Sequence, residues 1–209
     1  MVTGPTDLFA DPGRFFEDVA EDDGLRGPAL VVGFLGIVSA AGGIPVAEVT
    51  ATLLPPEASA FAGFTYVTTV VGGFVGAFVV WLVYAVVFHL VSSLAFDGDG
   101  PFARTLAVTG WGLAPAVPVG ILSGFLTYLA LRSTPIPSGP EGAMAFLAQM
   151  QNSPYVLAAG VLGVLGLLWQ AYLWTYGVKH ARGVELRDAA ITVAIPAGIA
   201  LVWRLYNLV

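Results

Sequence analysis

His89 is the one side chain titrating near neutral pH that falls inside a long apolar run, about two helical turns in from Asp97 at ~1.5 Å per residue. An imidazole there could relay a proton or ligate a metal, given a second ligand or titratable partner. The other histidine, His180, falls in a polar connection, and no acidic ligand joins the pair inside the apolar runs, so a metal site is not expected. A serine nucleophile would need that imidazole as its base, and Ser123 with His89 is the one pairing that adjacent runs allow. Gly120-Ile121-Leu122-Ser123-Gly124 does not match the G-x-S-x-G elbow, and Ser123 falls towards the opposite end of its run from His89. With no Cys in the chain, thiolate catalysis and Cys-ligated metals are excluded. The expectation is a neutral His89 hydrogen-bonded across helices, in a protein that is not an enzyme and holds no cofactor.

The most irregular run is the third, where Pro115 and Pro118 remove two helical hydrogen bonds and release the carbonyls of Trp111 and Ala114. Gln170 and Tyr172, at similar depth in the next run, are the candidates to satisfy them. A structural kink is the expectation, and the region is where a buried site would be sought.

The elements that must position these groups are membrane helices. Of 209 residues, 57% are hydrophobic and 11% charged, with a mean hydropathy of +0.83, far from a soluble domain. Five spans are expected: about 28–47, 66–94, one between Arg104 and Arg132, 154–178, and 189–208, the last broken by Pro196. That length leaves nothing for a separate soluble catalytic domain. Of eight basic residues, Arg14, Arg26, Arg104, Lys179, Arg182 and Arg187 fall in every second gap between spans. Short basic loops stay inside, so the N-terminus is expected in the cytoplasm and the C-terminus outside. Arg132 lies in an outer gap, and Arg204 is placed close enough to the outer surface to snorkel.

Residues 1–26 form an acidic cytoplasmic segment, carrying Asp7, Asp11, Glu17, Asp18, Glu21, Asp22 and Asp23, ahead of a transmembrane domain over 27–209. Asp11 as N-cap and Pro12 at the first helical position start a short amphipathic helix with Phe15, Phe16 and Val19 on one side, expected at the membrane surface and tucked against the bundle, with a partner-docking or lipid-sensing element the alternative. The formal charge of -6 makes nucleic acid an unsuitable partner. Seven Arg, one Lys and acid-coated exposed parts fit a salt-adapted or high-GC organism, a haloarchaeon by expectation. The longest outer loop, 132–153, has a Pro-rich start and then a short helix over 141–150. Gly72 to Gly76 and Gly120 to Gly124 are G-x-x-x-G spacings, read as packing within the chain, with homo-oligomerisation the sharper alternative.

The order Val87-Phe88-His89-Leu90, then Gly98-Asp99-Gly100-Pro101-Phe102-Ala103-Arg104-Thr105, then Thr109-Gly110-Trp111-Gly112-Leu113-Ala114-Pro115, resembles the Yip domain family. Asp11-Pro12-Gly13-Arg14-Phe15-Phe16 resembles that family's opening, while Trp111 stands where Tyr is commoner. The resemblance implies an all-α, five-span membrane protein without catalysis. Eukaryotic relatives act in vesicle traffic and bind small GTPases, but their aspartate-leucine-tyrosine-glycine-proline signature has no counterpart here, so only the scaffold and a protein-binding role carry over. The expected contact surface is Arg14, Phe15 and Phe16, the loop Asp97, Asp99, Phe102 and Arg104, and Lys179, Arg182 and Arg187. Membrane lipids are the other expected partners. The rival function is a small transporter or channel, with a path at the broken third span and His89 beside it.

Overall fold

In hydrocarbon every backbone N–H and C=O must be satisfied within the segment, so runs as apolar as these have one solution, the α-helix. A computed structural model describes residues 6–21, 24–54, 56–135 and 140–208. Asp22, Asp23 and the start of the Pro-rich stretch at 136–139 lie outside the described residues. Among the described residues the order is α1 Asp7–Ala10, α2 Pro12–Glu21, α3 Arg26–Leu53, a short 3-10 helix Pro56–Phe61, α4 Ala62–Phe96, α5 Phe102–Gly112, α6 Ala116–Ser133, α7 Pro140–Gln151, α8 Pro154–Arg182 and α9 Leu186–Tyr206. Five of these, α3, α4, α6, α8 and α9, are long and apolar enough to cross a membrane. The chain is therefore an all-α, multi-span membrane protein.

Two local expectations are corrected. Pro115 and Pro118 do not kink one helix; they divide it, α5 ending at Gly112 and α6 starting at Ala116. Pro115 caps α6 and Pro118 falls in its first turn, where an N–H has no intrahelical partner to lose. Pro196, by contrast, lies inside a continuous α9, whose buried Val193 and Ala197 hold it in the core. The amphipathic α2 is tucked against the bundle, the favoured expectation for it. Phe9 packs on Trp169, Gly13 lies by Tyr176, and Phe16 by Gly177, so the segment runs alongside α8. Its start is as expected, with the Arg14 N–H donating to Asp11 Oδ1 at 3.2 Å.

α3 and α4 pair along much of their lengths, with Gly73 against Ser39 and Ala40, and Gly36 and Gly43 of α3 against Phe74 and Thr69. Gly72 and Gly76 face open space instead, a correction to their reading as internal packing, because the i, i+4 row they share points away from the contact that Gly73 makes with α3. Gly120 and Gly124 do pack internally, on Val38 and Gly42 of α3.

The helix ends are not level. Pro28, at the start of α3, meets Gly110 and Trp81 at one point. Beyond Trp81, α4 continues to Phe96, ~22 Å further at 1.5 Å per residue. Alongside it run α5 and the last turns of α8, with α2 against their outer side. The bundle thus extends past the first residue of α3 as a helical cap. Buried Ser92, Thr105, Thr109 and Arg182 all belong to the elements that build it.

Candidate functional site: the Arg182 end of the bundle

Arg182, the last residue of α8, is only 2% exposed. Its Nε donates to Ser92 Oγ at 2.9 Å and one Nη to Ser93 Oγ at 2.5 Å. The two Nη atoms also donate to the carbonyls of Gly100 and Gly98. Its own carbonyl accepts the Asp99 N–H at 2.9 Å. The fork of a guanidinium suits several oxygens held in fixed directions, and the α4–α5 connection is wrapped around it.

That connection has the backbone needed for such a turn. α4 stops with Asp97 in the left-handed region at φ 51°, and the Asp97 and Gly98 N–H groups both return to the Ser92 carbonyl. Gly100 has φ 114°, and a Cβ there would lie 2.6 Å from the Ala181 carbonyl oxygen, so both conformation and space call for glycine. Asp99 Oδ1 closes the turn on the Gly100 N–H at 2.7 Å. On the other side, Gly183 with φ 63° ends α8 and turns the chain into α9.

Two indoles hold α5 in place. After Thr109 the helix tightens: Leu113 N–H goes to the Gly110 carbonyl, Ala114 to Trp111 and Val117 to Ala114. This tightening frees the Thr109 carbonyl, which accepts Trp174 Nε1 from α8 at 2.9 Å. The Leu106 carbonyl accepts Trp81 Nε1 from α4 at 2.7 Å. The carbonyls of Trp111 and Ala114, assigned to Gln170 or Tyr172 on sequence grounds, are instead satisfied by the turn itself. Gln170 is buried and donates to the Gly166 carbonyl of its own helix at 3.0 Å. Tyr172 is 51% exposed, its ring edge-on to Tyr176.

His89 is half-buried, with Nδ1 3.2 Å from Thr105 Oγ1 on α5 and its ring edge-on to half-buried Phe102. Ser123 Oγ points to the Ala159 carbonyl of α8 at 3.4 Å, so the structure does not bring it to His89.

The expected contact residues divide into two groups. Arg14, Asp97, Asp99 and Arg187 are exposed, and Lys179 and Arg104 half-buried. Phe15 and Phe16 are core residues, packed with Leu8, Val108 and Leu173, Phe15 edge-on to Trp111. They and Arg182 build the end of the bundle; they do not line its outside. Sequence reasoning did not single out Ser92, Ser93, Trp81 or Trp174. The Gly-Asp-Gly of the loop signalled a turn, but nothing in the sequence paired it with a residue some eighty positions later.

Five apolar helices and a capped, polar-cored end define a multi-pass helical membrane protein. The chain belongs to the Yip1 domain family, whose model matches residues 6–205. It is 30% identical over 117 residues to an uncharacterized protein of Methanocaldococcus jannaschii, covering 56% of this chain and 82% of that one. No solved structure matches it.

Proposed function

We propose that this chain works without catalysis, binding a protein partner or organising the membrane through the Arg182 end, which faces the cytoplasm of a prokaryotic and, from its acidic balance, haloarchaeal cell. The observation that carries the reading is the pinned α4–α5 connection. Arg182 holds its backbone through the Gly98 and Gly100 carbonyls and the Asp99 N–H, and the end of α4 through the Ser92 and Ser93 hydroxyls, so Asp97 and Asp99 are presented on a rigid turn with Arg187 exposed at the start of the next helix. Ordering the loop beforehand removes an entropic cost that a partner would otherwise meet. The rival reading, a path at the third-span break, has less to work with, since the break's carbonyls are satisfied by its own turn and Gln170 by Gly166.

The test is charge removal by Asp97→Asn with Asp99→Asn, which keep the left-handed preference and the Oδ1 acceptor of the turn, and, separately, charge reversal by Arg187→Glu, in tagged protein recovered from native membranes. The expected result is loss of a co-purifying protein with an unchanged melting temperature. Unchanged recovery in both variants would overturn the reading, and a proton or solute flux in liposomes abolished by His89→Ala would replace it.

A further inference from the structure

Away from the cap, α3, α4, α6, α8 and α9 line a cleft of about 610 Å³, a volume within the range of sites that bury small ligands. Its wall is largely apolar, with Leu35, Leu113 and Val119 among its lining, and no Asp or Glu is among the described residues that line it. It contains a cation, Arg204 of α9.

Helical side chains lean towards the N-terminus of their helix. Arg204, an exposed residue in the last turn of α9, leans along the cleft so that its guanidinium reaches α8. Its Nη1 donates to the Gly163 carbonyl at 2.6 Å. Gly163 leaves room for this, since a Cβ there would lie 2.6 Å from the same Nη1. Gly163 stands nine residues in from Pro154, ~13 Å along α8, so the guanidinium sits within the apolar span. A carbonyl is neutral and supplies one acceptor; a guanidinium has five donors and a full charge. A permanent cation inside an apolar span calls for an anionic partner.

We propose that this cleft binds an anionic lipid, its headgroup oxyanion paired with Arg204 and an acyl chain lying along the Leu35, Leu113 and Val119 wall. The Ser123 hydroxyl and Asn207 amide, also on the lining, supply neutral polar groups for the rest of the headgroup. A zwitterionic lipid offers the same chain but a compensated charge, so the site discriminates by charge.

The test is native mass spectrometry of the full chain from nanodiscs of equal phosphatidylglycerol and phosphatidylcholine, after detergent extraction. The wild-type chain is expected to retain phosphatidylglycerol over phosphatidylcholine by about tenfold or more, the order of one charge-assisted contact. Arg204→Gln should abolish the preference and Arg204→Lys keep part of it. Ala116→Leu, which narrows the cleft without altering charge, should lower retention of phosphatidylglycerol. Equal retention of the two lipids by wild type would overturn the proposal. So would an undiminished preference in both Arg204→Gln and Ala116→Leu, which would assign the lipid to the basic residues at the other end.

Discussion

The indole of Trp174 lies where a side chain at residue 112 would have to be. Its Nε1 donates to the Thr109 carbonyl at 2.9 Å, its ring stacks on Tyr84 with centroids 4.6 Å apart, and it is 1% exposed. A Cβ on Gly112 would overlap the indole atoms Cδ1 and Nε1. Gly112→Ala should therefore destabilise the protein by about 1–3 kcal/mol, the range for overpacking a close-packed interior, with a changed tryptophan emission. Gly76→Ala, where nothing lies within 4 Å, is the matched control. It should be neutral or slightly stabilising through helix propensity. Equal melting temperatures for the two variants would contradict this account of the helix break.

Arg182→Lys should not rescue the loop as a conservative change would. An ammonium cannot reach Ser92, Ser93, Gly98 and Gly100 together, because its donors radiate from one atom. About 3 kcal/mol should be lost, the scale of a hydrogen bond to a charged group plus stranded acceptors. Limited proteolysis should show new cleavage between Asp97 and Pro101. A loop as resistant as wild type would show that the backbone turn, and not the guanidinium, holds it.

Gly100→Ala tests that turn directly. With φ at 114° and the Ala181 carbonyl oxygen 2.6 Å from the new Cβ, strain of about 1–3 kcal/mol is expected. The loss should be smaller in an Arg182→Ala background, where the loop is free to shift, so a double-mutant cycle reads their coupling. Strict additivity would mean the two residues act independently.

Pro118→Ala should change stability by less than about 0.5 kcal/mol, because the proline lies in the first turn of α6 and replaces no interior hydrogen bond. A melting temperature raised by several degrees would instead indicate that the proline interrupts a helix that the chain would otherwise complete.

The absence of Cys makes the topology directly readable. Single substitutions Asp97→Cys and Arg187→Cys should react with an impermeant maleimide from one side of the membrane, and Arg132→Cys from the other. If the Arg182 end is cytoplasmic, the first pair labels in inverted vesicles only. Labelling of Asp97→Cys and Arg187→Cys from opposite sides would refute the bundle's order of crossings.

The existence of five spans followed from the sequence because lipid leaves an apolar run no alternative to a helix, and that constraint is local. The start of α2 at Asp11-Pro12 was equally legible, since a cap needs neighbours within three residues. The prolines of the third run were read correctly as an interruption but wrongly as a kink. Whether Pro118 costs a hydrogen bond depends on where the helix begins, and that in turn depends on the room Gly110 and Gly112 leave for Trp81 and Trp174. Tertiary packing decided the roles of individual polar groups. Arg182 looks like any loop cation until Ser92, Gly98 and Gly100 are folded around it, and Arg204 looks like any cation at a helix end until the fold sets the Gly163 carbonyl beside it. Composition sets where a segment sits relative to the bilayer; only the fold determines which oxygen stands opposite a given nitrogen, because those partners are separated by some forty to ninety residues of chain.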